Sequence, residues 1–178
     1  MIYGFYNPKK SALQCSFWLD KNLGILEAAN VLPNANFSGP VEKGKAIFDW
    51  QNKVLITLTP QEACSFSRAL HKGQPFDMIH ASNSKKGQKT TTLKAEFNKG
   101  WLNILIMEKY ENGTINKVSV GLNSSVKLNE VALFVNWLKW VQDIPVYNEL
   151  FKFHLGNNQH SARNQITNQQ NQGGVYNG

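Results

Sequence analysis

Arginine and cysteine are scarce in this sequence, and each shortage narrows the class of protein to which the chain can belong. Among 19 basic residues the only arginines are Arg68 and Arg163. Because the arginine fork is the usual reader of guanine edges and lysine is a flexible point charge, a lysine surface favours binding of phosphate backbone over reading of base sequence. Cys15 and Cys64 are too few for a disulfide scaffold, so we expect buried thiols in a reducing compartment.

Membrane-spanning and targeting patterns are also lacking. No apolar run approaches the ~20 residues that a transmembrane helix needs. The first ten residues, MIYGFYNPKK, have neither the order of a signal peptide nor the bias of a transit peptide. For an unprocessed chain we therefore expect no membrane partner and an intracellular, cytoplasmic location, which is the host cytoplasm if the protein is viral.

Motifs for catalysis are missing as well. The sequence has no P-loop, GxGxxG or GxSxG motif. Asp49 and Asp77 are isolated carboxylates, whereas nucleases generally use several to hold a divalent cation. The histidines are scattered without metal-ligand spacing, at His71, His80, His154 and His160. We expect a protein that is not an enzyme and that uses no metal and no cofactor.

An excess of positive charge is the main compositional feature that is present. The net charge is +7 and the isoelectric point is about 9.4. An anionic or phosphate-bearing partner is therefore the first expectation, and lysines that only solubilise the surface are the alternative. The chain of 178 residues is 42% apolar, which suffices for one domain with its own core.

The sequence also repeats itself at an offset of 76 positions. Asn7, Lys9, Lys10, Asn22, Gly24 and Leu26 fall on Asn83, Lys85, Lys86, Asn98, Gly100 and Leu102. Each copy has a paired-lysine turn, strands and a final helix, so the predicted order is ββββα twice, an α+β fold with two packed antiparallel sheets. The predicted domain covers residues 1–150 and consists of units at about 1–73 and 76–142. The Asn/Gln-rich segment 156–178 is predicted to be disordered.

The predicted elements follow from alternating and helical patterns. In the first unit the strands are 12–19, 23–31, 45–50 and 53–58, with Gln51-Asn52 as a hairpin turn and a helix from the Thr59-Pro60 cap to about Lys72. In the second unit the strands are 76–82, 90–97, 101–109 and 115–122, with Asn112-Gly113 as a hairpin turn and a helix over roughly 126–142.

The last helix is apolar on nearly all sides and must be covered on both. One side can pack on the sheets of its own chain. For the other side we expect a second subunit, with Leu133, Trp137 and Trp140 at a homo-oligomer interface. Coverage by the extension 144–155 is the alternative.

Lysine-rich turns form the candidate nucleic-acid site. Residues 83–99 contain five lysines against Glu96 alone. Ammonium groups on such a turn can follow a phosphate backbone past the edge of a sheet. The predicted phosphate-binding residues are Lys9, Lys10, Lys85, Lys86, Lys89 and Lys94.

Three tryptophans are candidates for stacking on bases. Trp18 and Trp101 lie on predicted strand faces that also carry polar residues, whereas Trp50 shares its predicted face with apolar neighbours. Each indole either stacks on an unpaired base or packs between the sheets. Lysines interleaved with aromatic residues on strand edges suit unstacked nucleotides better than duplex DNA.

Several segments together resemble the Whirly family of single-stranded DNA-binding proteins. The family's Lys-Gly-Lys-Ala-Ala-Leu signature would fall on residues 8–13, where only Lys10, Ala12 and Leu13 match, and its Tyr-Asp-Trp would fall on Phe48-Asp49-Trp50, a better match. The similarity runs over roughly residues 2–150, through IYGFYNPKKSALQCSFWLDKNLGIL, FDWQNKVLITLTPQEACSF, KKGQKTTTLKAEF and the final helix. It implies two perpendicular four-stranded sheets, assembly into tetramers through helices, and largely sequence-independent binding of single strands along sheet edges. The family shares its fold with single-strand-binding transcriptional coactivators and with kinetoplastid guide-RNA-binding proteins.

The expected function is therefore sequence-independent binding of single-stranded DNA in replication, recombination or repair. Single-stranded RNA is an alternative substrate, and a basic face that docks an acidic protein is an alternative of another class. The missing transit peptide favours a viral or bacterial source over a plant organelle.

Overall fold

Two four-stranded antiparallel sheets and two helices make up the α+β fold. The computed structural model describes residues 3–7, 10–35, 47–84, 87–125 and 129–149. The first sheet has the order β1-β2-β3-β4 and the second the order β5-β6-β7-β8. The strands are β1 (Tyr3–Asn7), β2 (Ser11–Trp18), β3 (Leu23–Asn30), β4 (Val54–Leu58), β5 (Phe76–Ser84), β6 (Gly87–Asn98), β7 (Trp101–Tyr110) and β8 (Ile115–Asn123). The helices are α1 (Pro60–His71) and α2, which covers residues 130–149.

Strand β1 was not predicted, because a five-residue strand at the start of the chain shows little alternation. Its Phe5 is buried in the core, whereas Tyr6 points to the outer side of the sheet. Each of its residues pairs antiparallel with β2, from Tyr3 opposite Cys15 to Asn7 opposite Ser11. The first sheet therefore has the predicted number of strands but a different edge strand.

The predicted strand 45–50 and the predicted hairpin turn at Gln51-Asn52 are wrong. Of that segment, residues 47–50 are described, and among them Phe48 makes only an isolated bridge to Val31. Residues Trp50–Asn52 form a 3-10 turn because the Asp49 carboxylate accepts hydrogen bonds from the backbone and side-chain nitrogens of Asn52. Strand β4 pairs directly with β3 instead.

Helix α1 begins and ends as the sequence predicts. The Thr59 hydroxyl accepts a hydrogen bond from the Glu62 backbone N–H, and the Glu62 carboxylate accepts one from the Thr59 backbone N–H, which completes a capping box. Pro60 occupies the first turn. The helix ends before Gly73, whose φ of +61° is costly for other residues.

The second sheet has the predicted order with longer strands. Its β6 has 12 residues, four more than the equivalent β2. The tight turns use left-handed residues, with φ of +82° at Gly100 and +84° at Gly113. Inward residues of β7 and β8, such as Ile104 and Val120, are fully buried and form the sheet's share of the core.

Helix α2 covers the inner side of the first sheet. Phe134 lies edge-on to Phe5, and Trp137 lies against Phe17. At Gly24 any Cβ would come within 2.6 Å of Val141, so only glycine lets helix and strand approach this closely. The helix continues beyond the predicted end at 142, and the predicted start at 126–128 lies outside the described residues, as does the tail 156–178.

Neither described helix is long and apolar enough to cross a membrane.

Candidate nucleic-acid interface

The outer face of the second sheet carries polar residues and one exposed indole, at the start of β7. Alternation along β7 directs Leu102 and Ile104 into the core and Trp101 and Asn103 outward. Cross-strand register then defines this outer face, which includes Lys94, Glu96 and Asn98 on β6, Trp101 and Asn103 on β7, and Ser119 and Gly121 on β8.

Trp101 is exposed on this outer face. Its side chain is 42% exposed. A Cβ at Gly121 would lie 3.4 Å from the indole ring, so the ring packs against the glycine of the neighbouring strand. An exposed indole on a strand face can stack on an unpaired base.

A groove runs across the outer face on both sides of Asn103 and Ser119. One recess, of about 490 Å³, is bounded by Lys10, Lys99 and Trp101, and the other, of about 510 Å³, is bounded by Asp77, Lys94 and Glu96. Both recesses are lined by Asn103 and Ser119 and therefore adjoin one another, and we call the two together the Trp101 groove. Each recess falls within the ~300–1,000 Å³ range of ligand-binding clefts.

Lys10 reaches the groove from the other sheet. It lies in the β1–β2 turn, next to Ser11, whose buried hydroxyl donates a 2.7 Å hydrogen bond to the carbonyl of Ser119 on β8. The backbone carbonyl of Lys10 also accepts a hydrogen bond from the N–H of Val31. The junction between the sheets therefore fixes the turn and places its lysine beside Trp101.

The structure brings only some of the predicted site residues together. Lys10, Lys94 and Trp101 line the Trp101 groove. Lys99, Asn98 and Asn103 line it too and were not predicted, although Lys99 belongs to the lysine-rich segment 83–99. The predicted residues Lys9, Lys85 and Lys86 lie outside the described residues.

Lys89 binds a carboxylate of its own chain. Its ammonium lies 2.6 Å from Glu108, which is 3% exposed. The same carboxylate accepts hydrogen bonds from the Tyr110 hydroxyl at 2.8 Å and the Leu55 backbone N–H at 3.3 Å. The hydrogen bond to Glu108 raises the pKa of Tyr110, and burial of the hydroxyl raises it by a smaller amount. Lys89 therefore neutralises a buried charge between β4 and the second sheet. Lys94, in contrast, is exposed.

Trp18 lies far from the Trp101 groove. Seven residues of extended chain separate it from Ser11, a distance of ~23 Å at ~3.3 Å per residue. The Lys21 ammonium covers its ring at 3.7 Å from the centroid. The adjoining Leu19 carbonyl accepts a hydrogen bond from the Asn148 side chain at 2.8 Å. Trp18 thus belongs to the end of the molecule where α2 meets the β2–β3 turn.

Trp50 belongs to a row of three aromatic rings on the outer side of the first sheet. Ring centroids of Tyr6 and Phe48 are 5.9 Å apart, and those of Phe48 and Trp50 are 6.4 Å apart. Tyr6 is 59% exposed and its ring folds over Gly4. Sequence reasoning missed Tyr6 because β1 was not identified as a strand.

The three predicted interface residues on helix α2 differ in exposure to solvent. Trp137 is fully buried among Phe17 and Phe134 of its own chain. Leu133 and Trp140 are exposed, and the Trp140 ring stacks on Tyr147 at 5.6 Å. Leu133, Trp140 and Tyr147 are spaced seven residues apart and therefore lie along one side of the helix, which we call the α2 seam.

The described part of the chain contains no group of three or more His, Cys, Asp or Glu side chains placed to hold a metal ion. Cys15 and Cys64 are free thiols. Burial raises the pKa of the Cys15 thiol well above its usual value, which keeps it protonated and unreactive.

Comparison with known proteins gives matches at the level of structure alone. No family model and no curated protein matches the sequence. The plant transcriptional regulator PBF-2 superposes with a TM-score of 0.61 at 16% identity, over 89% of this chain and 94% of that one. WHY1 from Arabidopsis thaliana gives 0.58 at 16% identity, over 92% of each chain.

A third similar structure comes from a trypanosome. The MRP1/MRP2 structure of Trypanosoma brucei matches with a TM-score of 0.50 at 9% identity, over 80% of this chain and 92% of that one. PBF-2 and WHY1 are Whirly proteins. Their agreement with two antiparallel four-stranded sheets and two helices shows that this chain has a Whirly-like fold.

Proposed function

We propose that this protein binds single-stranded nucleic acid along the Trp101 groove. The observation that carries the proposal is the exposed indole of Trp101, which packs against Gly121 with Lys10 and Lys99 in the same recess. The lysines neutralise phosphates while the indole stacks on a base. This combination needs bases that are already unstacked.

Duplex DNA fits the chain less well. Among the described residues, α2 carries Lys139 as its only basic side chain. The basic residues of α1 are confined to its last turn, at Arg68 and His71. Neither helix therefore presents a basic face to a major groove.

DNA is the proposed substrate, and the proposed setting is replication, recombination or repair inside the cell. PBF-2 is a transcriptional regulator with the same fold, which supports DNA as the substrate, and single-stranded RNA is the alternative. The groove has no arginine among its lining residues, and lysines grip phosphates without reading sequence, as protection of exposed strands requires.

The protein is further proposed to act as a homo-oligomer, with a tetramer favoured. The α2 seam leaves Leu133, Trp140 and Tyr147 exposed on one side of a helix whose opposite side is buried. Apolar residues at seven-residue spacing suit antiparallel or parallel packing against the same helix of a second copy.

A competition experiment tests the proposed substrate. A labelled single-stranded DNA of about 30 nucleotides is displaced with unlabelled duplex, single-stranded RNA or heparin at ~0.15 M salt, with binding read by fluorescence anisotropy. Strong competition by single strands and weak competition by duplex and heparin is expected. Equal competition by heparin would instead mean a general anion-binding face, suited to an acidic protein.

Two groove variants and one control variant test whether the groove is the site. Trp101→Ala is expected to weaken binding about tenfold or more, because one stacking contact is lost. Trp18→Ala is the matched control, since Trp18 lies at the far end of β2 and should leave affinity unchanged. Lys10→Ala should reduce the slope of log affinity against log salt by about 0.7, the value for one phosphate contact on a single strand. Equal effects of the two tryptophan variants would place the site elsewhere.

A further inference from the structure

One side of the Trp101 groove carries a carboxylate where a purely phosphate-binding groove would carry none. Glu96 on β6 lies directly opposite Asn103 on β7. Both residues line the recess that also holds Lys94. Within the described chain the Glu96 carboxylate makes no ion pair and no side-chain hydrogen bond. In a protein of net charge +7, an unpaired acid here repels phosphate and favours a group that donates hydrogen bonds.

The two recesses of the groove differ in charge, so one suits the phosphate backbone of a bound strand and the other suits a base. Lys10 and Lys99 lie in the recess that holds Trp101, and Glu96 lies in the neighbouring one. A strand whose phosphates lie along Lys10 and Lys99 and whose base stacks on Trp101 therefore turns a base edge towards Glu96 and Asn103. The edge of an unpaired base is free to form hydrogen bonds with such groups.

Guanine has the edge that matches these groups best. Its Watson–Crick edge offers two adjacent donors, N1–H and the exocyclic 2-amino group, beside the O6 acceptor. A carboxylate accepts both donors through its two oxygens, and an amide N–H₂ or an ammonium donates to O6. Thymine and uracil offer a single N–H between two carbonyls, and adenine and cytosine offer one amino group beside an acceptor.

We propose that Glu96 and Asn103 form a guanine-preferring subsite in the Trp101 groove, with Lys94 as a second donor to O6. The inference rests on the proposed function, because it assumes that a single strand occupies the groove. Binding then tolerates any sequence through the phosphates but is strengthened where a guanine reaches the subsite. Asp77, which lies opposite Lys94, reduces the attraction of this recess for phosphate further.

A comparison of affinities for guanine and hypoxanthine distinguishes recognition of the base edge from stacking on the ring. The two purines have similar ring faces, but hypoxanthine lacks the 2-amino group. Affinities are measured by anisotropy for oligonucleotides of thymidines with an isolated guanine or inosine at every third position. The wild type is expected to bind the guanine form about fivefold more tightly, the effect of one charge-assisted hydrogen bond in an exposed groove.

Glu96→Gln is the decisive variant, and Glu111→Gln in the β7–β8 turn is its matched control. Because Gln presents one acceptor where Glu presents two, the preference for guanine should fall to less than about twofold in Glu96→Gln and persist in Glu111→Gln. Equal binding of both oligonucleotides by the wild type, or the same ratio in Glu96→Gln, overturns the subsite while leaving the proposed function intact. Failure of the folded wild type to bind any single strand overturns both.

Discussion

The Lys89 ammonium lies 2.6 Å from the Glu108 carboxylate, and this ion pair connects β6 with β7 beside β4 of the other sheet. Glu108 is almost fully buried, and the Lys89 side chain retains only 19% exposure. The pair therefore has a structural role, although the sequence context of Lys89 resembles that of its exposed neighbours. Removing one partner would leave the other charge without compensation in a desolvated place.

Lys89→Ala is accordingly expected to destabilise the fold. We expect the free energy of unfolding to fall by about 2–4 kcal/mol, since the buried Glu108 loses its counter-ion. Chemical denaturation measures the change, and Lys94→Ala, at an exposed position on the same strand, is the matched control with an effect within about 0.5 kcal/mol. A Lys89→Ala protein as stable as the wild type, with weakened nucleic-acid binding, would return Lys89 to the phosphate-binding residues.

The contact between Trp101 and Gly121 gives a second prediction. Gly121→Val should displace the indole, because a Cβ at this position already lies 3.4 Å from the ring and the two methyl groups of valine would need space that the ring occupies. Single-strand affinity should then fall nearly as far as in Trp101→Ala while all lysines remain in place. Gly121→Ala is the matched control, because its Cβ would lie at ordinary van der Waals distance from the ring and should leave the indole in place. Full affinity in Gly121→Val would show that the position of the indole against Gly121 is not needed.

The pattern of outward and inward residues could be predicted from the sequence more readily than the partners of charged side chains. Alternation on β7 correctly directs Trp101 and Asn103 to the outer face. The sequence around Lys89 and Lys94 is uniformly lysine-rich, and only the fold reveals that a residue 19 positions later binds Lys89.

Short elements were predicted least well. The 3-10 turn at Trp50–Asn52 depends on one aspartate that bonds its own backbone, and this competes with the strand propensity of the apolar residues before it. Trp18 and Trp101 have the same outward alternation, yet they lie at opposite ends of the molecule because the groove is built from the junction of the two sheets.

Acid should weaken the capping box of α1. Burial alone would raise the pKa of Glu62, but hydrogen bonds from the Thr59 backbone and from His80 outweigh it and lower the pKa below the ordinary 4.5. A group whose pKa is lowered by folding adds stability above its unfolded pKa and loses that stability as pH falls through the folded value. The stability difference between wild type and Glu62→Gln should therefore be present above about pH 4.5 and shrink as the pH falls below it.

Denaturation at several pH values checks this prediction. Glu111→Gln, which changes the same charge in an exposed turn, should show a smaller dependence on pH than Glu62→Gln. A stability difference for Glu62→Gln that stays constant from neutral pH to pH 3 would mean that the carboxylate contributes nothing through its charge.

The α2 seam supplies the last prediction, on assembly. Leu133, 47% exposed, and Trp140 lie one heptad apart on a helix whose other side is anchored by the buried Trp137. Trp140→Glu places a charge in the proposed helix contact and should shift the protein to a smaller assembly, as measured by light scattering or sedimentation. The fold should survive, because Trp140 contacts Tyr147 on the exposed side and not the core. Lys139→Gln, one position away, lowers the net charge by the same single unit and is the matched control. An unchanged mass for Trp140→Glu would remove the α2 seam as the interface, and a wild-type monomer would remove the proposed oligomer altogether.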